Sequence, residues 1–174
     1  DLKDALVGEL GEAQGLDRLR RFAAAFPAGY REEYPARAAV SDIAMMARLS
    51  DEQPLAMNLY RPLEAPPGTV RFKLFHRGAS VSLSDSLPML EHMGVKVQDE
   101  HPHRIVPEGM PPIAMHDFGL LVTRADAEVD VDALHRVFED AFARIFRGEV
   151  ESDDFNRLVL RAGQLQRRIR IERL

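Results

Sequence analysis

At Leu55 the spacing of apolar residues changes from one in every three or four to one in every two, and this switch constrains the fold more than any other feature. Before it the period is helical. Leu2, Leu6 and Leu10 make one stripe, and Leu16, Leu19, Phe22, Ala23 and Phe26 make a second, which Pro27 and Gly29 interrupt. Ala39, Val40, Ile43, Met46 and Ala47 make a third after Pro35, ended by Ser50, Asp51, Glu52 and Pro54. Three short helices bury little alone, so residues 1–50 are expected to pack on their neighbour.

After the switch, Leu55, Met57 and Leu59 alternate with Ala56, Asn58 and Tyr60. A turn over 62–68, with Pro66 and Pro67 inside it, leads to Val70, Phe72 and Leu74 on one face and Arg71, Lys73 and Phe75 on the other. This pattern predicts a hairpin. Ser82, Ser84, Asp85 and Ser86 then precede Leu87, Leu90 and Met93, the arrangement of a helix start. Pro88 puts that start late, because proline belongs in the first turn. Gly94 before Val95 reads as a left-handed helix cap. Strand residues return from Val95 and Val97 to Ile105, turn at Pro107, Gly109, Pro111 and Pro112, and continue over 113–122. Met115 and Phe118 are out of phase for one face, so a bulge is expected near Asp117. Asp130 is placed to cap an amphipathic helix carrying Leu134, Val137, Phe138, Ala141, Phe142 and Ile145, stopped at Gly148. A last helix is expected from near Asp153.

The order from residue 55 is strand, strand, helix, strand, strand, helix. Counted from the second strand it is a ferredoxin-like split unit lacking its final strand. The first strand can fill that slot beside 70–75. The expected class is α+β, a circularly permuted, four-stranded antiparallel sheet with flanking helices. The expected division is 1–50 helical, 51–150 α+β, and 151–174 the start of a further helical region.

Composition removes several classes of function. A net charge of −5 offers no basic field for nucleic acid or an anionic membrane. No apolar run reaches the roughly 18–20 residues that span a bilayer. With no cysteine, thiolate metal sites and disulfides are excluded, and a cytoplasmic setting is expected. The chain opens at Asp1 rather than at a methionine, which reads as a fragment of a longer product.

Candidate chemistry is sparse. Glu100, His101, His103 and His116 resemble metal ligands in type, but their spacing matches no structural zinc pattern, and a polar edge strand broken by Pro102 is the plainer reading. No metal site is therefore assigned. Gly8, Gly11 and Gly15 lack the spacing and the preceding strand of a dinucleotide loop, so no NAD site is expected within the chain. Asp99 and Glu100 point to opposite sides of a strand and do not make an acid and base pair. The exception is the strand-to-helix loop of Arg77, Gly78, Ser80 and Ser82. Glycine permits close backbone approach, the helix start offers amides and the serines offer hydroxyls, a cradle for a small carboxylate. No residue is assigned a catalytic role.

The stretches AFPAGYREEY at 25–34, LYRP at 59–62, RFKLFHRG at 71–78, LSDSLPMLEHMGVKVQDEHPHRI at 83–105, HDFGL at 116–120 and FNRLVLRAG at 155–163 resemble the large NAD-specific glutamate dehydrogenases of bacteria. The segment from 164 onward departs from that pattern. The resemblance implies a place before the dehydrogenase domain, in a region of ACT-like modules and helical motifs. It implies a parent enzyme that deaminates L-glutamate oxidatively to 2-oxoglutarate and ammonia with NAD. ACT-like modules bind amino-acid effectors or join subunits edge to edge. The expected partners are thus other domains and subunits of the parent and a small amino acid, held at Arg77, Gly78, Ser80 and Ser82.

Overall fold

The computed structural model describes residues 1–122 and 131–152. They form two compact units. The first comprises Asp1–Ala56, Leu74–Ser80 and Pro102–His116; the second comprises Met57–Lys73, Val81–His101 and the described residues from Asp117 on.

Four helices open the chain: α1 (Leu2–Leu10), α2 (Glu12–Phe22), α3 (Ala28–Glu33) and α4 (Ala36–Met46). Asp1 and Asp4 cap α1 reciprocally, the Asp4 amide donating to the Asp1 carboxylate at 3.0 Å. Gly11, at φ 81°, separates α1 from α2. The two helices then pack through Gly15, where an added Cβ would stand 2.7 Å from the Val7 Cα and 2.9 Å from the Leu6 carbonyl carbon. Backbone meets backbone there. With Gly15 facing α1, Leu16 turns outward and is 41% exposed, and Ala23 is exposed as well. The expected second stripe is thereby corrected to Phe22, Ala25 and Phe26, with Leu19 partly buried.

Pro27, read as an interruption, is instead the N-cap of α3. This short helix buries Tyr30, whose hydroxyl donates to Asp42 Oδ2 of α4 at 2.6 Å. Each of the two polar groups satisfies the other in a place where an unpaired one would be costly. These residues close a core with Leu6, Ile43, Met46, Phe75, Ile113 and Met115.

The strands β1 (Leu55–Tyr60), β2 (Thr69–Arg77), β3 (Val95–Ile105) and β4 (Ile113–Val122) form one sheet in the order β1-β2-β4-β3. The Arg77 amide donates to the Pro54 carbonyl at 2.8 Å, Gly78 to Pro112 at 2.7 Å and Val122 to Gly68 at 2.9 Å, so the neighbours of β2 run antiparallel to it. The α+β class and the pairing of β1 with β2 are as expected; that the order amounts to a circular permutation is our reading of it. β4 is buried along nearly its whole length. Met115 and Phe118 are both fully buried, so the change of phase that suggested a bulge near Asp117 is accounted for by two-sided burial.

Two helices complete the described chain, α5 (Leu83–His92) and α6 (Val131–Phe146). The late start predicted from Pro88 is corrected, because α5 begins at Leu83 and holds Pro88 inside it. Proline leaves the Ser84 carbonyl without its helical donor, and Ser84 is exposed, so water can serve it. The expected left-handed cap is present at Gly94, at φ 88°. In the second unit Phe72 packs edge-on against Phe138 and Phe142 of α6, at 5.2 and 5.1 Å between ring centroids. Glu139 of α6 reaches the edge strand β1, its Oε1 accepting from the Leu59 amide at 2.8 Å. The Asp130 cap and the helix expected from Asp153 lie outside the described residues.

Two predictions follow from this packing. Helix propensity alone favours Gly15→Ala by about 1 kcal/mol, yet a net loss of about 1–3 kcal/mol is expected because two backbones must separate; urea unfolding measures it. Burial pushes the Glu139 carboxyl above its ordinary range, opposed by the Leu59 amide and His135. A raised carboxyl stabilises the native state while protonated and loses that contribution as pH rises past the ordinary glutamate value. Glu139→Gln keeps an acceptor without the charge. It should raise the melting temperature at neutral pH and flatten the decline that sets in as pH rises past the ordinary glutamate value, as melts at an acidic and a neutral pH would show.

Candidate functional site

The loop after β2 lines an open cleft of about 410 Å³ in the first unit, together with Pro102, His103, Arg104 and His116. Of the four residues singled out in the sequence, Gly78 and Ser80 line this cleft. Arg77 is turned to Asp51, its Nε donating to Oδ1 at 3.1 Å. Ser82 belongs to the second unit, at the N-cap of α5, where its carbonyl accepts from Ser86 Oγ at 3.0 Å. The Gly78 amide is already committed to Pro112, and Gly78 holds φ 81°.

The cation at the cleft is Arg104, which sequence reasoning passed over. It is exposed and makes no hydrogen bond or ion pair among the described residues. Its neighbour His103 is held firmly. His103 Nε2 lies 3.0 Å from Glu33 Oε2, and its ring meets Tyr30 and Tyr34 edge-on at centroid distances of 5.5 and 5.8 Å. The usable signal was the run HPHR in a strand whose proline marks it as an edge.

A second polar cluster lies in the second unit. Asp117 of β4 is fully buried and takes a hydrogen bond from Arg71 Nε at 2.9 Å and another from the Tyr60 hydroxyl at 3.1 Å. Arg71 Nη2 also donates to Asp99 Oδ1 at 3.1 Å and to the Asp117 carbonyl at 3.2 Å. Burial works against the guanidinium charge, but the attraction of Asp117 and Asp99 outweighs it and holds Arg71 above its ordinary value. His101 Nε2 stands 3.3 Å from Asp99. Among the described residues no group of three histidine or carboxylate side chains is gathered as metal ligands. The cluster links strands and shows no nucleophile.

A family model described as "Glutamate dehydrogenase, ACT3 domain" matches residues 54–134, and one described as "Glutamate dehydrogenase, helical motif 2" matches residues 5–49. The chain belongs to the glutamate dehydrogenase family. This ACT3 and helical-motif segment is 38% identical over 162 residues to an NAD-specific glutamate dehydrogenase of Pseudomonas aeruginosa, 93% of the chain being covered. It is 40% identical to the protein of that name from Halomonas elongata, over the same share of the chain. With the Mycobacterium tuberculosis protein it shares 32% over 164 residues. The chain spans about 10% of the length of these relatives.

At Gly78 an added Cβ would meet nothing within 4 Å, so a substitution there is resisted by backbone conformation alone. Gly78→Ala in the ACT3 segment is therefore expected to cost about 1–2 kcal/mol while leaving the cleft open. Gly78→Val would report strain before it reported binding. A thermal melt of the alanine variant checks the first figure.

Proposed function

We propose that this segment is a non-catalytic regulatory and assembly module of an NAD-specific glutamate dehydrogenase, and that the cleft beside Gly78 and Ser80 receives a small effector. The parent enzyme would oxidise L-glutamate to 2-oxoglutarate and ammonia in the cytoplasm with NAD bound elsewhere in its chain. The family membership and the names of the relatives support that reading. No helix among the described residues is long and apolar enough to cross a membrane. The domain division we propose is a helical part over 1–50, the ACT-like part over 51–150 and a following helical region from 151. Its partners are the other domains and subunits of the parent.

The observation that carries the effector reading is a cleft at a strand-to-helix loop, lined by a glycine at positive φ, a serine hydroxyl and a guanidinium uncommitted among the described residues. An amino acid would enter carboxylate first. Arg77 anchors the loop through Asp51, and Ser82 stands at the start of α5.

A thermal-shift screen of the chain against the twenty amino acids is expected to yield at least one that raises the melting temperature, since a ligand bound only by the native state stabilises it. Calorimetry with NAD is expected to show no saturable heat. If no amino acid shifts the melt, the segment is a subunit-contact module without a ligand. Saturable NAD binding would reject the non-catalytic reading as well.

A further inference from the structure

The charge of the cleft selects its occupant. Its lining holds Arg104, His103 and His116 and contains no aspartate or glutamate. Glu33, a carboxylate tied to it through His103, lies 3.0 Å from His103 Nε2. The side chains around the opening therefore offer donors to an anion, from Arg104 and Ser80, and no negative partner to a cation. Arg104 is the distinctive element, because Arg71 and Arg77 are each bound to aspartates while Arg104 remains uncommitted among the described residues.

Resting on the effector reading above, the geometry points to a small organic dianion, a dicarboxylate in chemical class, as the preferred ligand of this cleft, with Arg104 as the residue that sets the preference. A guanidinium matches a carboxylate with two parallel donors, and an unpaired one spends no existing ion pair when the ligand arrives. A monoanion of the same shape keeps that contact but forfeits the attraction between the Arg104 charge and a second carboxylate. A diamine meets only like charge.

The cleft also carries its own reporter. The chain has no tryptophan and three tyrosines, and two of these, Tyr30 and Tyr34, stand against the His103 ring. An anion settling beside His103 changes the polarity at both rings. Tyrosine emission should follow occupancy.

The test titrates the chain at constant ionic strength with succinate, with its mono-amide succinamate and with 1,4-diaminobutane, read by tyrosine emission and by calorimetry. Succinate is expected to saturate, succinamate to bind about tenfold more weakly, and the diamine to give no response. Arg104→Gln removes an exposed charge that is unpaired among the described residues, so its ligand-free melt should match the parent chain while succinate loses its advantage over succinamate. Equal affinities for succinate and succinamate, saturable binding of the diamine, no saturable response to succinate, or an unweakened Arg104→Gln would each overturn the dianion preference. The effector reading fails separately, on the amino-acid screen. An amino acid that shifts the melt while succinate is ignored leaves the cleft standing and removes only the charge rule.

Discussion

A carboxylate with no exposure to water in the middle of a sheet survives only if its charge is answered, and in the second unit Asp117 is answered by Arg71 from the adjacent strand. The pair does more than neutralise itself. Tyr60 brings β1 to the same carboxylate, and Asp99 brings β3 to the same guanidinium. One ion pair, Arg71 with Asp117, thus joins all four strands. Slippage of any strand by one residue would turn its contributor to the other face, so the cluster sets register as well as holding charge. Gly119 belongs to this arrangement, since a Cβ there would stand 2.5 Å from Asp99 Oδ2 and push that carboxylate aside.

In the first unit a comparable role falls to aromatic and carboxylate pairs. Tyr30 stacks on Phe26 at 4.4 Å between centroids, donates to Asp42, and meets His103 with its ring edge. The chain beyond β3 is also stitched to the helices, Val106 donating to the Ala25 carbonyl at 3.1 Å and Glu108 to Arg21 at 2.9 Å. Any ligand beside His103 therefore lies one contact from α3 and two from α4, which is the physical requirement for occupancy to be felt by the helical part.

Much of the fold was legible because it rests on repeated local pattern. The stripe of Leu134, Phe138, Phe142 and Ile145 is the buried stripe of α6, and the alternation through 55–60 and 70–75 is the β1 and β2 hairpin. Readings went astray where tertiary packing overrode a local rule. Leu16 satisfies a helical stripe but is displaced outward by the close approach at Gly15, which no period reveals. Pro88 sits inside α5 because its cost is borne by an exposed carbonyl. The site was less legible for the same reason. Gly78 and Ser80 announce a loop, but that Arg77 is turned away to Asp51, 26 residues earlier in the chain, is written in no local pattern.

The hydrogen bond from the Leu59 amide to Glu139 bears on how such a module behaves among many copies. β1 and β3 are the edges of the sheet, and exposed edges recruit strands indiscriminately. At β1 a newcomer must displace a carboxylate that the protein itself supplies, and at β3 it meets Pro102, which has no amide to give. An edge blunted in this way resists pairing with a passing strand, so that an open sheet need not be adhesive.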